Sequence, residues 1–252
     1  MFMARVAEQG DRFENMFSFL KDGVIKQRKD GHFTADERNL LSVAFKNLVS
    51  PKRTTWRTII AVEHSTQGGP SSQTQAIAQY KAVIEERLHK DCEEIVALVL
   101  NYVLPRLAQS YGDVPKNVKD LEERAFFWKM AGDYYRYASE ASQSTASREQ
   151  RLPRFKKGAL EAYNRAMELC KSGLLRPYNS VCLGLALNFS VFHYEVMGDP
   201  LKACQIAKES FESAIEVIDE CSEEHFQEAQ SILELLKENM NIWAVEAGIE
   251  FN

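Results

Sequence analysis

An all-α fold is what this sequence predicts, and three observations lead there. Apolar residues recur at intervals of three and four, as in Val83, Leu88, Cys92, Ile95, Val96 and Val99, and again in Ile232, Leu235, Leu236 and Ile242. No stretch alternates with period two over the length of a strand. Gly and Pro, 12 and 7 of the 252 residues, fall in clusters that punctuate otherwise uninterrupted segments. The expectation is about nine helices and no sheet.

The breaks give the elements in order. Gly23 to Gly31 interrupts the first helix, and Thr34 with Glu37 three residues on forms a capping-box pattern that opens the next. Gln67 to Ser72 is a turn, and Tyr111 to Pro115 is another. Ser142 to Ser147 is a Ser/Thr-rich loop, Gly173 to Pro177 a helix stop, and Gly198–Asp199–Pro200 a tight connection. Ser222 followed by Glu223 and Glu224 starts the last helix, since acids favour the positive end of a helix dipole. The pattern Ala-x3-aromatic-x2-Ala occurs at Ala131–Tyr135–Ala138, Ala159–Tyr163–Ala166 and Ala207–Phe211–Ala214. Small residues beside a ring let neighbouring helices approach closely, as in stacked helix pairs. The copies are unequally spaced, which argues against a regular tetratricopeptide solenoid.

Composition narrows the class. A 45% hydrophobic share suffices for a core, and a net charge of −5 argues against a general nucleic-acid binder. The N-terminus is charged by its fifth residue and has no apolar h-region, so no secretory signal is expected. The apolar run Ile95 to Leu104 is about half a membrane span and reads as buried helix. Five widely spaced cysteines without C-x-x-C point to reduced, mostly buried thiols in a cytoplasmic protein. The histidines lack ligand-pair spacing, so neither a metal nor another cofactor is expected. No catalytic motif is present, and the expectation is a protein that is not an enzyme.

One cluster stands out against the acidic body. Lys46, Arg53 and Arg57 lie seven and then four residues apart, which returns a helix to within ~20° and ~40° of one direction. No acid lies between Lys46 and Arg57, so i,i+4 pairing cannot neutralise the face locally. Arg136 followed by Tyr137 offers a guanidinium beside a hydroxyl, with Asp133 as a candidate counter-ion. Unpaired cations on one face suit a phosphate, which carries nearly two charges and three acceptor oxygens. Two mixed stripes suit a peptide groove: Leu187, Asn188, Val191 and Glu195, and Ile232, Leu235, Asn239 and Trp243. Asn offers both donor and acceptor to a peptide main chain. Taken singly, each stripe also fits a core face.

Several long segments resemble one family. They are AEQGDRFENM (Ala7–Met16), ERNLLSVAFKNLVSPKRTTWRT (Glu37–Thr58), GDYYRYASE (Gly132–Glu140), LGLALNFSVFHYEV (Leu183–Val196) and LLKENMNIW (Leu235–Trp243). Collinear over nearly the whole chain, they are similar to the signature segments of the 14-3-3 proteins, a standard example of phospho-motif recognition by arginine clusters. The resemblance implies a nine-helix, cup-shaped protomer forming a single domain over 1–252. Helices of about 1–66 would serve dimerisation and part of the groove, 73–246 would complete the groove, and 247–252 would be a short tail. It further implies a phosphoserine/phosphothreonine-peptide adaptor, with phosphate held by Lys46, Arg53, Arg136 and Tyr137 and with Arg57 nearby. Asn188 and Asn239 would hold the peptide main chain, assisted by Glu195 and Trp243. Leu187, Val191, Ile232 and Leu235 would form the apolar wall, with Lys129 at the edge. Phosphorylated clients would be the partners, held by a homo- or heterodimer.

The departures from the family pattern carry their own expectations. Ser50–Pro51 replaces Gly-Ala, and a proline between Lys46 and Arg53 is expected to kink the helix that carries them. The connections at Tyr111–Lys119 and Gln143–Gln150 are long, and the tail lacks an acidic stretch. Arg12 matches a dimer-contact arginine whose usual glutamate partner is replaced by Arg87, with Glu85 and Glu86 as neighbours, and Asn15 replaces an acid. A weakened or repacked dimer is expected from this like-charge pair. Thr55 is a candidate phosphorylation switch by position alone. The alternative reading is a tetratricopeptide-like scaffold for unphosphorylated peptides.

Overall fold

The computed structural model describes residues 1–252 apart from 30, 67–70, 113–114, 116, 143–147 and 249–252. The expected turn at 67–72, the connection at 111–119, the Ser/Thr-rich loop at 142–147 and the end of the tail therefore fall wholly or partly outside the described residues. Nine helices and no strand are present among those described. They are α1 (Phe2–Gln9), α2 (13–25), α3 (Ala35–Ser65), α4 (71–111), α5 (Val118–Ala141), α6 (Arg148–Cys170), α7 (180–197), α8 (Pro200–Ile215) and α9 (Glu223–Ala247). Three of them change hydrogen-bond pattern without ending. α2, α4 and α7 contain the wider-wound stretches Phe19–Ile25, Val99–Val103 and His193–Met197, joined to their α-helical parts through right-handed helical backbone.

Helix ends follow local chemistry. Thr34 accepts from the Glu37 amide while the Glu37 carboxylate accepts from the Thr34 amide, a complete capping box. At the 198–200 connection Gly198 takes φ 69°, where a Cβ would be penalised, and the Asp199 side chain accepts from the Lys202 amide. Ser222 is the N-cap of α9 but its hydroxyl turns to His225 instead of a backbone amide. One break was not expected: α1 and α2 separate at Gly10 and Asp11, and Asp11 takes φ 53°. The Gly-Asp pair was the available signal. Pro51 lies inside α3, which runs unbroken for 31 residues. The Thr55 hydroxyl donates to the Pro51 carbonyl at 2.9 Å.

Residue contacts group into two compact units, Met1–Gly112 with Tyr137–Phe155, and Asp113–Arg136 with Lys156–Asn252. Two of the boundaries fall inside α5 and α6, and the third falls at Gly112, in the connection before α5. In the first unit α2 packs on α3 and α3 on α4 around Met16, Leu20, Leu41, Phe45, Leu88 and Ile95. Phe17 and Phe45 meet edge to face at 5.6 Å. The 95–104 run lies in this core, with Ile95, Val96, Leu98, Val99 and Val103 buried. In the second unit α7, α8 and α9 pack together through Leu183, Ala207, Leu236 and Trp243, and α6 joins a second cluster through Ala159, Tyr163 and Ala166. All six alanines of the repeated motif are buried, as close helix packing requires. Val83, Leu235 and Ile242 are exposed, so the apolar pattern overstated the core at these positions.

By length and composition α7 could cross a membrane, but Leu183, Leu185, Ala186, Phe189 and Phe192 are buried within its unit. The thiol expectation needs correction at two positions. Cys170 and Cys182 form a disulfide with Cα atoms 5.7 Å apart, whereas Cys92, Cys204 and Cys221 are free. Cys170 ends α6 and Cys182 lies in the first turn of α7, so the intervening turn brings them together despite their unremarkable sequence spacing.

A buried histidine ties the first unit together. His89 of α4 receives a hydrogen bond from Arg151 at Nδ1 (2.7 Å), and its Nε2 lies 3.2 Å from the Ala138 carbonyl and 2.8 Å from the Ser142 hydroxyl. Arg151 can only donate, so Nδ1 is bare and Nε2 carries the proton. Burial, with help from the Arg151 charge, pushes the ring from 6.5 down to about 4. The unfolded chain then binds a proton that the folded chain refuses throughout that window, and stability falls as pH falls through it. The expected loss is about 3 kcal/mol between pH 6.5 and 4, at ~1.4 kcal/mol per pKa unit. Urea unfolding across this window should show a shallower acid dependence for His89→Gln than for the parent chain; parallel curves would contradict the assignment.

Candidate functional site

In the first unit α3 presents Arg53 and Arg57 to the last turns of α5. Arg53 donates to both carboxylate oxygens of Glu140, with Nη2 at 3.0 and 2.8 Å and Nε at 3.3 Å, and its guanidinium lies 3.7 Å from the centre of the Tyr137 ring. Arg57 reaches the same carboxylate at 3.2 Å. Tyr137 and Glu140 stand three residues apart and so share a face of α5. Arg53 is nearly enclosed (18% exposed) while Arg57 is 56% exposed. Lys46, two turns before Arg53, is exposed and makes no ion pair among the described residues.

The expectation of wholly unpaired cations is therefore wrong. The acid that pairs with them comes from another helix, which a local i,i+4 reading of α3 could not reveal. Neutralisation is nonetheless incomplete, because among the described residues Arg53 and Arg57 share a single carboxylate. The other face of α3 behaves differently. Lys52 pairs with Asp91 at 2.8 Å and Trp56 donates to Glu85 at 3.0 Å, so these groups anchor α3 to α4.

The second unit holds a polar network centred on Asp133. Lys129 lies 2.8 Å from Oδ2, while Oδ1 accepts from the Tyr163 hydroxyl at 2.7 Å and from the Asn188 amide at 2.8 Å. Arg136 donates from Nε to the Tyr163 oxygen at 3.2 Å and sits 4.0 Å from Asp133, the counter-ion expected from spacing. Burial and the Asp133 charge push the Tyr163 phenol well above its ordinary range, so it remains a donor. Two groups were missed as site components. Tyr163 orients Arg136, and only its place in the alanine–aromatic repeat marked it. Glu140 follows Arg136 by four residues, a weak signal by itself.

The stripes are also placed. Leu187 and Val191 on α7 and Ile232 on α9 are partly buried against one core cluster, while Glu195 and Leu235 are exposed. Asn239 is half-buried. Trp243 is only 4% exposed and stacks on Tyr194 at 5.1 Å, so packing is its visible role. Among the described residues no three His, Cys, Asp or Glu side chains converge as a metal site.

Fold and side chains together define the class, an all-α protein of packed helices whose arginines are gathered around buried carboxylates. The chain belongs to the 14-3-3 family, whose model matches residues 3–244. It is 36% identical to 14-3-3 protein 2 of Entamoeba histolytica, over 98% of this chain and 96% of that one. It is 34% identical to the checkpoint signal transducer rad24 of Schizosaccharomyces pombe, over 98% and 84%. Against 14-3-3 protein beta/alpha-1 of Oncorhynchus mykiss the identity is 35%, over 96% and 91%. Proteins of this family are adaptors and not enzymes.

Proposed function

We propose that this chain is a cytoplasmic adaptor that binds phosphoserine and phosphothreonine peptides of client proteins. Phosphate would be held by Arg53, Arg57, Arg136 and Tyr137, with Lys46 adding long-range attraction. The observation that supports this most is the sharing of Glu140 by two guanidiniums. It holds Arg53 in a defined rotamer yet leaves positive charge in excess, which a phosphate dianion would relieve. Asn188, oriented by Asp133, and Asn239 would bond to the peptide main chain, and Leu187, Val191, Ile232 and Leu235 would take its apolar side chains. Calorimetry with one peptide in phosphorylated and unphosphorylated forms tests the reading. The phosphate should improve affinity by about a hundredfold, the worth of two charge-assisted hydrogen bonds. Equal affinities would favour a scaffold for unphosphorylated peptides.

The adaptor would act as a dimer, gaining avidity from two linked sites. Phe2, Met3 and Val6 of α1 and Tyr80 and Val83 of α4 are exposed apolar residues that support such a contact. Arg12 and Arg87 are both exposed, and the acids next to Arg87 are engaged elsewhere, Glu85 with Trp56 and Glu86 with Arg151. Arg87→Glu is expected to tighten self-association by about three- to tenfold at low salt. Sedimentation would detect this, and a weaker dimer would refute the Arg12–Arg87 repulsion.

A further inference from the structure

The Cys170–Cys182 bridge joins the last residue of α6 to the first turn of α7. Both cysteines are half-buried, and both line a cavity of about 610 Å³ in the second unit. That volume falls within the range of small-molecule sites. The lining is apolar at Met167 and Leu183 and carries both signs of charge, with Lys171, Arg176, Glu212 and Glu216. Lys171 follows Cys170 directly in sequence and pairs with Glu209 at 3.5 Å.

The buried thiols of the chain are placed quite differently. Cys92 and Cys204 are 1% and 3% exposed, and burial pushes both thiols above their ordinary range. A thiol kept protonated and out of reach in a core is inert to exchange. A disulfide that solvent reaches is the labile kind, because a small thiolate can approach its sulfurs. The turn between α6 and α7 also has anchors besides the bridge. Leu175 is 5% exposed, Arg176 pairs with Glu220, and the Asn179 side chain accepts from the Val181 and Cys182 amides. Opening the bridge therefore frees two sulfurs while the backbone that carries Cys182 stays held. With the Cα atoms 5.7 Å apart, the same backbone permits the bond to close again.

We infer that Cys170 and Cys182 form a site of reversible thiol–disulfide exchange with a zwitterionic low-molecular-weight thiol of the glutathione type, which reaches the bridge through this cavity. A thiolate of the small thiol attacks one bridge sulfur. A mixed disulfide forms, the Cys170–Cys182 bond breaks, and its electron pair leaves on the other cysteine. A second small thiol displaces the first and leaves as the oxidised dimer. The bridge is thus reduced to two cysteine thiols, two small thiols are oxidised to one disulfide, and the protons they lose end on the cysteines. The reverse reaction, with the small disulfide as oxidant, closes the bridge. The lining suits such a molecule, since its carboxylates would face Lys171 and Arg176 and its ammonium would face the glutamates. The state of the bridge sets how firmly the turn at 171–179 is held. This inference stands whether or not the chain binds phosphopeptides.

The test equilibrates the full chain in glutathione buffers of about 5 mM total, at reduced-to-oxidised ratios from about 1:1 to about 1000:1. Acid quenching, alkylation and peptide mass spectrometry then read each cysteine. The bridge should be mostly closed at the first ratio and mostly open at the last. Glutathione adducts should appear on Cys170 or Cys182 at intermediate ratios, with Cys92 and Cys204 unmodified. Hydrogen exchange of the amides in 171–179 should quicken at least about fivefold when the bridge opens. Lys171→Glu lies at an exposed position and should slow reduction by glutathione at least about threefold more than reduction by 2-mercaptoethanol, which has no carboxylates. A bridge that survives the most reducing buffer is a sealed staple, and one that stays open at about 1:1 is no redox pair. Either result would overturn the proposal, as would unchanged exchange in the turn or equal slowing of the two thiols by Lys171→Glu.

Discussion

Arg53→Ala is expected to weaken a singly phosphorylated peptide by about ten- to a hundredfold, which corresponds to losing one charge-assisted interaction of ~1.5–3 kcal/mol. The size follows from how the residue is held. Its guanidinium is clamped against Glu140 by three donor contacts and laid on the Tyr137 ring, so little side-chain freedom remains to be lost when phosphate arrives. Arg57 contacts the same carboxylate once and is more than half exposed. Arg57→Ala should therefore cost less, at most about fivefold. Both variants should retain the fold, because Glu140 keeps one guanidinium partner in each. Calorimetry with thermal unfolding as a control checks the pair, and an Arg53 variant that binds within about twofold of the parent would remove this residue from the site.

Gly132→Ala should be the more damaging substitution for the protein as a whole. A Cβ at this position would lie 2.6 Å from two carbons of the Tyr163 ring, well inside van der Waals contact. Tyr163 is fully buried beside Phe189 and Phe192, at 5.2 and 5.7 Å, so the ring has little room to retreat. Overpacking of this kind costs about 3 kcal/mol, or roughly 6–12 °C in melting temperature for a chain of this length. Any displacement of the ring also disturbs the hydroxyl that joins Arg136 to Asp133. Phosphopeptide affinity should consequently fall with stability, although residue 132 itself has no polar side chain. A variant with an unchanged melting point would show that the ring can yield.

Much of this was legible in the residues. Helical periodicity, the Thr34–Glu37 cap and the Gly198–Asp199–Pro200 connection are local features, determined by a few neighbouring residues. The alanine–aromatic repeat announced close helix packing, and every alanine in it is buried. The cations were legible as a face of α3, but their electrostatic state was not. Glu140 lies 87 positions from Arg53 in sequence, and no spacing rule connects them. Tyr163 reaches Asp133 across 30 positions in the same way. The cysteines show the point most plainly. Their spacing suggested free thiols, and a turn between α6 and α7 brought two of them together.

The amino-acid order alone determined the helical class, the family and the identity of the charged groups, because hydrophobic period, capping and side-chain type are written locally. Only the tertiary structure decided which carboxylate each arginine meets, how far Trp243 is enclosed, and that His193 is buried with both nitrogens unmet. The physical reason is that pairing and desolvation depend on distances between segments remote in the chain, and those distances exist only once the helices have packed.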